Sequence, residues 1–316
     1  VLDDDPRTAA EQQQAARMTP RSAKPSWLNR VLSAAVALAL GAGCMPPSWG
    51  AGALLHPSRR PVGAPPPLAH QDVTFDFDGV VLRGWLFHAA GVSRAAAVVY
   101  LHGVADNRAS GVWIAEQLVR RGFDVLAYDS RAHGDSGGDA CTYGFYERRD
   151  LRRALDALGI RRAILVGVSL GGAVALQAAA EDPRIVAIVA AGTFSDLESI
   201  ARDRAPFVAS ASQIREAFAL AEREAHFRVE EVSPVKAAAH IHVPVLLVHG
   251  ADDRETRPVH SERVHAALAG PRQLLLVKGA GHNDALGKAW PQVEVWIDRV
   301  APGAGSDRIG GASSSQ

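Results

Sequence analysis

The sequence predicts an α/β domain built on a doubly wound, mostly parallel sheet, and two observations carry that prediction. Between Gln71 and Ala301, short β-branched apolar runs alternate with longer runs of helical period, the pattern of strand and crossover helix. The short runs are continuous in apolar residues, which is how strands read when helices cover both faces of a sheet. Composition agrees with a large core: of 316 residues, 47% are hydrophobic and 22% charged. The 34 basic side chains balance 34 acidic ones, so no global basic field exists to collect nucleic acid. Cys44 and Cys141 can close at most one disulfide and lack the paired spacing of a zinc site, which excludes disulfide scaffolds and zinc modules.

The chain opens with residues 1–17, polar and acidic, ahead of Met18, which reads as the start of a signal sequence. Arg21, Lys24 and Arg30 then form a basic segment without an acid, followed by the uncharged stretch Val31–Gly43. That stretch matches a secretory apolar region and is too short for an ordinary membrane span. Gly41-Ala42-Gly43-Cys44 resembles a bacterial lipoprotein cleavage site, with Leu40 one place further from the cysteine than is usual. Cys44 is therefore the lipidation candidate in segment 1–44, and the expectation is an exported protein held to a membrane by an N-terminal lipid anchor. Ordinary cleavage after Ala51-Gly52-Ala53 would instead release a soluble exported protein, and without export the chain would be cytosolic. Residues 45–70, rich in proline, read as an irregular tether, so the domain is expected to span 71–301, with a disordered tail over 302–316.

Within the domain, VTFDFDG and VLRGWLFHA around Asp78-Gly79 predict an antiparallel hairpin. Six buried parallel strands follow at 95–103, 123–130, 161–169, 185–194, 243–250 and 272–279, giving an eight-stranded sheet. Helices are expected at 110–121, 145–158, 171–181, 258–268 and 284–300. The interval 195–235 is too long for a loop and carries alanine and charge at helical spacing, which predicts a small helical cap.

The strand at 161–169 runs into Gly167-Val168-Ser169-Leu170-Gly171 and then an alanine-rich helix. A G-x-S-x-G sequence between strand and helix is a nucleophile elbow: glycines two residues either side remove the side chains that would collide at a strained turn. A serine hydroxyl is a weak nucleophile at neutral pH and needs a base, itself oriented by an acid. Both follow in chain order, Asp252-Asp253 after one strand and His282, in Gly279-Ala280-Gly281-His282-Asn283-Asp284, after the next. The backbone N–H of Leu170, directly after the nucleophile, is one expected donor to the oxyanion.

These motifs, in the order serine, aspartate, histidine, resemble the α/β-hydrolase superfamily over 71–301. The resemblance implies the α/β-hydrolase fold, an eight-stranded mostly parallel sheet flanked by helices with a small cap. The family's His-Gly-x-x-Asp acid loop selects Asp253, leaving Asp252 as a surface cap of the following helix. Leu101-His102-Gly103-Val104-Ala105-Asp106-Asn107-Arg108 is similar to the family's oxyanion loop and implies Val104 N–H as the second donor. His102 and His249 then shape their loops, while His133, His240, His242, His260 and His265 are structural or exposed. Tyr128–Gly138 resembles the family's Asp-x-Arg-Gly-x-Gly-x-Ser turn with Ala132 in place of a glycine, and Asp129 and Arg131 are expected to pair near the oxyanion loop.

Dehalogenases and epoxide hydrolases of this fold carry aspartate at the elbow. Ser169 points instead to acyl transfer from a small-molecule acyl substrate to serine and then to water, with neither metal nor organic cofactor implied. The sequence around Leu101 to Arg108 and the compact cap are most similar to serine-aminopeptidase-like and Bem46-like hydrolases. Ester or thioester hydrolysis is the first expectation and amide cleavage the second, with Glu198, Asp203, Glu216, Glu222 or Glu224 of the cap as an amine anchor. A non-catalytic binding protein on the same fold is the alternative of another class.

Overall fold

The computed structural model describes residues 46–302. Cys44, the rest of the signal-like segment 1–44 and the tail from 303 onward lie outside the described residues. The sheet has eight strands: β1 (Gln71–Phe77), β2 (Val80–Phe87), β3 (Ala97–Leu101), β4 (Val125–Tyr128), β5 (Ala163–Val168), β6 (Ile185–Ala191), β7 (Val245–Gly250) and β8 (Arg272–Val277). They lie in the order β1-β2-β4-β3-β5-β6-β7-β8. β1, β2 and β4 pair antiparallel, and every other neighbour pair is parallel. The hairpin turns on Asp78 and Gly79, with φ of 53° and 78°, the positive pair that a two-residue turn of the right twist needs.

Both faces of the sheet are covered. Val98 and Tyr100 of β3 join one apolar layer with α2 (Val112–Val119) and α9 (Ala285–Val300). Val99 and Leu101 join the other, with α3 (Glu147–Ala157), α4 (Leu170–Ala179) and α8 (Val259–Ala267). That two-sided burial is why β4 and β7 carry no exposed residue. After β3 the chain passes to β4 on one side and then to β5 on the other, so the C-terminal ends of β3 and β5 diverge at a topological switch point, where α/β sheets place their sites.

The interval 195–235 is helical as expected. It holds α5 (Leu197–Arg204), α6 (Ala211–Ala225), a 3-10 turn at Val229–Glu231 and the start of α7 (Pro234–Ala238). A reciprocal capping box between Ser210 and Gln213 starts α6. Leu197, Ile200, Ala221, Phe227 and Val232 of this region form an apolar cluster with Phe194.

The expected tether is not one. Residues Pro47–Leu55 form helix α1, which packs on α6 so closely that a Cβ on Gly50 would lie 3.0 Å from that of Ala217. Ala51 and Leu55 are buried in the cap cluster. Beyond it, Leu55 accepts the Cys141 N–H at 2.8 Å, and Arg59 donates to the carbonyls of Ser136 and Gly138 at 2.5 and 2.6 Å. The Asn107 amide donates to the carbonyls of Arg60 and Pro61 at 3.0 and 3.2 Å. Proline was the misleading signal: Pro47 at the first helical position loses nothing, and carbonyls along 55–61 accept donors from the body. Among the described residues the folded unit thus includes Pro46 onward and does not start near Gln71, and cleavage after Ala53 would cut through α1.

Candidate active site

Ser169 sits between β5 and α4 with φ 51° and ψ −110°, a conformation a non-glycine residue holds only when its surroundings impose it. The flanking glycines show how. A Cβ on Gly171 would stand 2.0 Å from the Leu101 carbonyl oxygen, and one on Gly167 would stand 2.3 Å from that of Gly171. Ser169 N–H donates to the Ala191 carbonyl at 2.7 Å, tying the elbow to the end of β6. Among the described residues no group hydrogen-bonds Ser169 Oγ.

His282 and Asp253 meet on the adjoining loops. His282 Nδ1 donates to Asp253 Oδ2 at 2.7 Å, which leaves Nε2 as the basic lone pair. Asp253 is 3% exposed, and its Oδ1 accepts the N–H groups of Glu255 and Thr256, both at 2.9 Å. Burial pushes its carboxyl up, but the hydrogen bonds from His249, His282 and Thr256 outweigh burial and hold it below the usual carboxylate range. The His282 ring lies over Gly192, where a Cβ would come within 3.2 Å of Cε1. Gly192 follows Ala191, the acceptor of Ser169 N–H, so Ser169 and His282 flank the same end of β6.

The oxyanion loop follows β3. His102 is fully buried: Nε2 accepts Ser130 N–H at 2.9 Å and Nδ1 donates to the Gly103 carbonyl at 2.7 Å. Burial and the neighbouring His133 ring lower its pKa to about 4, so it is neutral at pH 7. Gly103 brings this loop against the nucleophile, its would-be Cβ 3.6 Å from Ser169 Cβ. Val104 N–H has no acceptor among the described residues, and Leu170 N–H belongs to the first turn of α4, whose donors a helix leaves unpaired.

A family model described as alpha/beta hydrolase fold matches residues 96–229. The uncharacterized protein Rv2307c of Mycobacterium tuberculosis is 30% identical over 213 residues, 66% of this chain and 70% of that one. The chain belongs to the α/β-hydrolase family. The uncharacterized protein YfhR of Escherichia coli is 27% identical over 233 residues, covering 70% of this chain and 76% of that one. In fold, the chain is similar to the esterase Pf2001 of Pyrococcus furiosus, with a TM-score of 0.61, 23% identity, and coverage of 78% of this chain and 97% of that one. A hydrolase from Pseudomonas aeruginosa gives a TM-score of 0.54 at 25% identity over 73% of this chain and 98% of that one.

Within this α/β hydrolase, two sequence expectations are corrected. Asp129 and Arg131 do not pair. Asp129 accepts the Arg108 backbone N–H at 2.7 Å, the Asp135 N–H at 2.9 Å and the Arg108 guanidinium, while Arg131 forms a two-bond fork with Asp150 of α3 at 2.7 Å each. The chain turns between them, sending Asp129 to the oxyanion loop and Arg131 to the helix layer. Asp252 is exposed and caps nothing, since α8 begins at Val259 behind Pro258. The Asp129–Arg108 pair is buried, so Asp129→Ala is expected to cost about 3 kcal/mol in urea unfolding, by leaving the buried Arg108 guanidinium with only the half-exposed Asp135 as counter-ion and two backbone N–H groups without their acceptor.

One contributor shapes its loop as the sequence implies and also touches the acid, and a second escaped the sequence. His249 Nε2 lies 2.7 Å from the Thr256 carbonyl and 3.3 Å from Asp253 Oδ2, the same carboxylate oxygen to which His282 donates. Its place in His-Gly-x-x-Asp was the available signal. Gly192 had none, because its need is the His282 ring from a distant loop. His133 and His260 are buried, His240 and His242 exposed, and His265 half-buried. Among the described residues no group of three or more His, Cys, Asp or Glu could hold a metal ion.

Proposed function

We propose that the protein is a serine hydrolase that cleaves carboxylic ester or thioester bonds through Ser169, His282 and Asp253. The observation that carries this is the Asp253–His282 pair at 2.7 Å beside a serine held at φ 51°. His282 Nε2 takes the Ser169 hydroxyl proton as Oγ attacks the acyl carbon. The oxyanion that forms accepts from Leu170 N–H and Val104 N–H, donors fixed before reaction and needing no reorganisation. Asp253 remains ionised, holding Nδ1–H and stabilising the imidazolium, which returns its proton to the leaving alcohol or thiol. Water, deprotonated by the same nitrogen, then releases the acid and restores Ser169. The esterase Pf2001, with a similar fold, supports this assignment by analogy only.

Amide cleavage in the serine-aminopeptidase-like manner would need a free carboxylate for a substrate amine. Glu198 pairs with Arg202, Asp203 with Arg257, Glu222 with Arg228 and Glu224 with His56. Four of the five cap acids are thus engaged, which favours the ester over the amide; Glu216, exposed on α6 and without an ion pair among the described residues, is the anchor that the amide reading would use. A fluorophosphonate probe tests the assignment: stoichiometric labelling of Ser169 is expected, and absence of labelling in folded protein indicates a non-catalytic binding protein. Hydrolysis measured across ester, thioester and aminoacyl substrates then ranks the classes, with the aminoacyl substrates slowest.

The proposal extends to location, with Cys44 as the lipidated residue. Among the described residues no helix is long and apolar enough to cross a membrane. Only Met45 separates Cys44 from Pro46, so acyl chains on Cys44 would hold α1 and the cap at the lipid surface. Stable anchoring takes more than one chain, since a single myristoyl group gives only about 10⁴ M⁻¹ of membrane association. Cys44→Ser is expected to move the protein from the membrane fraction to the soluble fraction at unchanged specific activity. Wild-type protein already soluble in cell fractionation would reject the anchor.

A further inference from the structure

The reaction scheme leaves unused a set of contacts that joins the cap to the acid loop. Helix α5 ends in Asp203-Arg204, and both side chains leave the cap. Arg204 donates Nε–H to the Glu255 carbonyl at 3.2 Å and Nη2–H to Thr256 Oγ1 at 3.0 Å. Asp203 accepts from Arg257 Nη2 at 2.8 Å and from His260 Nε2 at 3.2 Å. His260 is fully buried, and its Nδ1 lies 2.9 Å from Ser195 Oγ. One imidazole therefore holds both ends of segment 195–203.

Thr256 is where this reaches the chemistry. It is 1% exposed, its N–H donates to Asp253 Oδ1 at 2.9 Å, and its carbonyl accepts His249 Nε2 at 2.7 Å. The same His249 nitrogen lies 3.3 Å from Asp253 Oδ2. Arg204 thus spans Glu255 and Thr256 with a two-bond fork, and its Thr256 arm holds the residue that binds one oxygen of the acid directly and braces the other through His249. Lysine, with a single compact ammonium, cannot keep both bonds of that fork at their present geometry.

We propose that Arg204 is a positioning residue for the triad: through Thr256 it fixes the acid loop, so that seating of the cap and alignment of Asp253 with His282 go together. The proposal rests on the serine-hydrolase assignment for its kinetics, but the alignment itself can be read without turnover. Arg204 is exposed and borders an open pocket of about 390 Å³ lined by Asp203, Arg254, Glu255 and Arg257. Truncation there admits water in place of a buried void, which keeps the variant foldable.

The test compares full-chain wild type, Arg204→Ala, Arg204→Lys and, as a control on the same helix, Arg202→Ala, which removes only a surface pair with Glu198. Two readouts are taken: kcat and KM on p-nitrophenyl butyrate, and the low-field proton NMR resonance of His282 Nδ1–H. Arg204→Ala is expected to lower kcat roughly tenfold, the scale of one charge-assisted hydrogen bond, with KM within about twofold. It should also shift or broaden the low-field resonance. Arg204→Lys should recover part of both, and Arg202→Ala should change neither. Adding Thr256→Val to Arg204→Ala should cost less than its effect on wild type, since both remove the same link. An Arg204→Ala protein with unchanged kcat and resonance overturns the proposal, as does one whose only change is a raised KM. Wild type without turnover, but with a resonance that Arg204→Ala displaces, would reject the hydrolase assignment and leave the positioning role standing.

Discussion

Ser169→Ala is expected to abolish ester turnover and fluorophosphonate labelling while leaving unfolding stability nearly unchanged. The substitution removes only Oγ, which has no hydrogen-bond partner among the described residues, and alanine inherits the same φ of 51° from the glycines and the Ala191 carbonyl that impose it. Losses at the nucleophile of such a triad run to roughly 10⁴–10⁶ in kcat. The measurement is the steady-state rate of purified variant against wild type, alongside urea unfolding of both. Turnover retained in clean Ser169→Ala protein would remove the serine from the chemistry.

Asp253→Asn should come next in size, a loss of roughly 10⁴ in kcat, because an amide NH₂ facing Nδ1 forces the other histidine tautomer and blocks Nε2 as a base. The asparagine oxygen can still accept from Glu255 and Thr256, so the loop survives. Asp252→Asn, on an exposed side chain, should leave the rate within about twofold. Reversed effects would make Asp252 the acid. A pH signature accompanies the change. Asp253 is held below its usual value in the folded protein, so its contribution to stability is present above the unfolded carboxylate pKa, about 3.9, and is lost as pH falls through the lower folded value. Asp253→Asn should lack that component of acid destabilisation.

Much of this architecture was legible because its causes are local. Strands β3 to β7 read as uninterrupted apolar runs since both faces are buried, and the G-x-S-x-G spacing was visible since the collisions it avoids involve near neighbours and the end of β3. Chain order then placed Asp253 and His282 on adjoining loops, and the structure brings them together. What the sequence hid depends on distant partners. Residues 45–70 looked like a tether because proline content reports missing donors and says nothing of the Arg59 and Asn107 side chains that bind the segment. Asp129 was paired with Arg131 by proximity in sequence, whereas the turn between them gives each a different partner 19 or 21 residues away. Gly192 and Arg204 matter through loops more than 50 residues further on, and nothing in their neighbours announces it.

The central claim is an acyl-enzyme on Ser169, and its most direct measurement is peptide mapping by mass spectrometry of protein acid-quenched during turnover of p-nitrophenyl butyrate. The account predicts a butyryl group on the peptide carrying Gly167-Val168-Ser169-Leu170-Gly171, localised to Ser169 and absent from Ser169→Ala. A butyryl group borne by another residue and kinetically competent for turnover would contradict it.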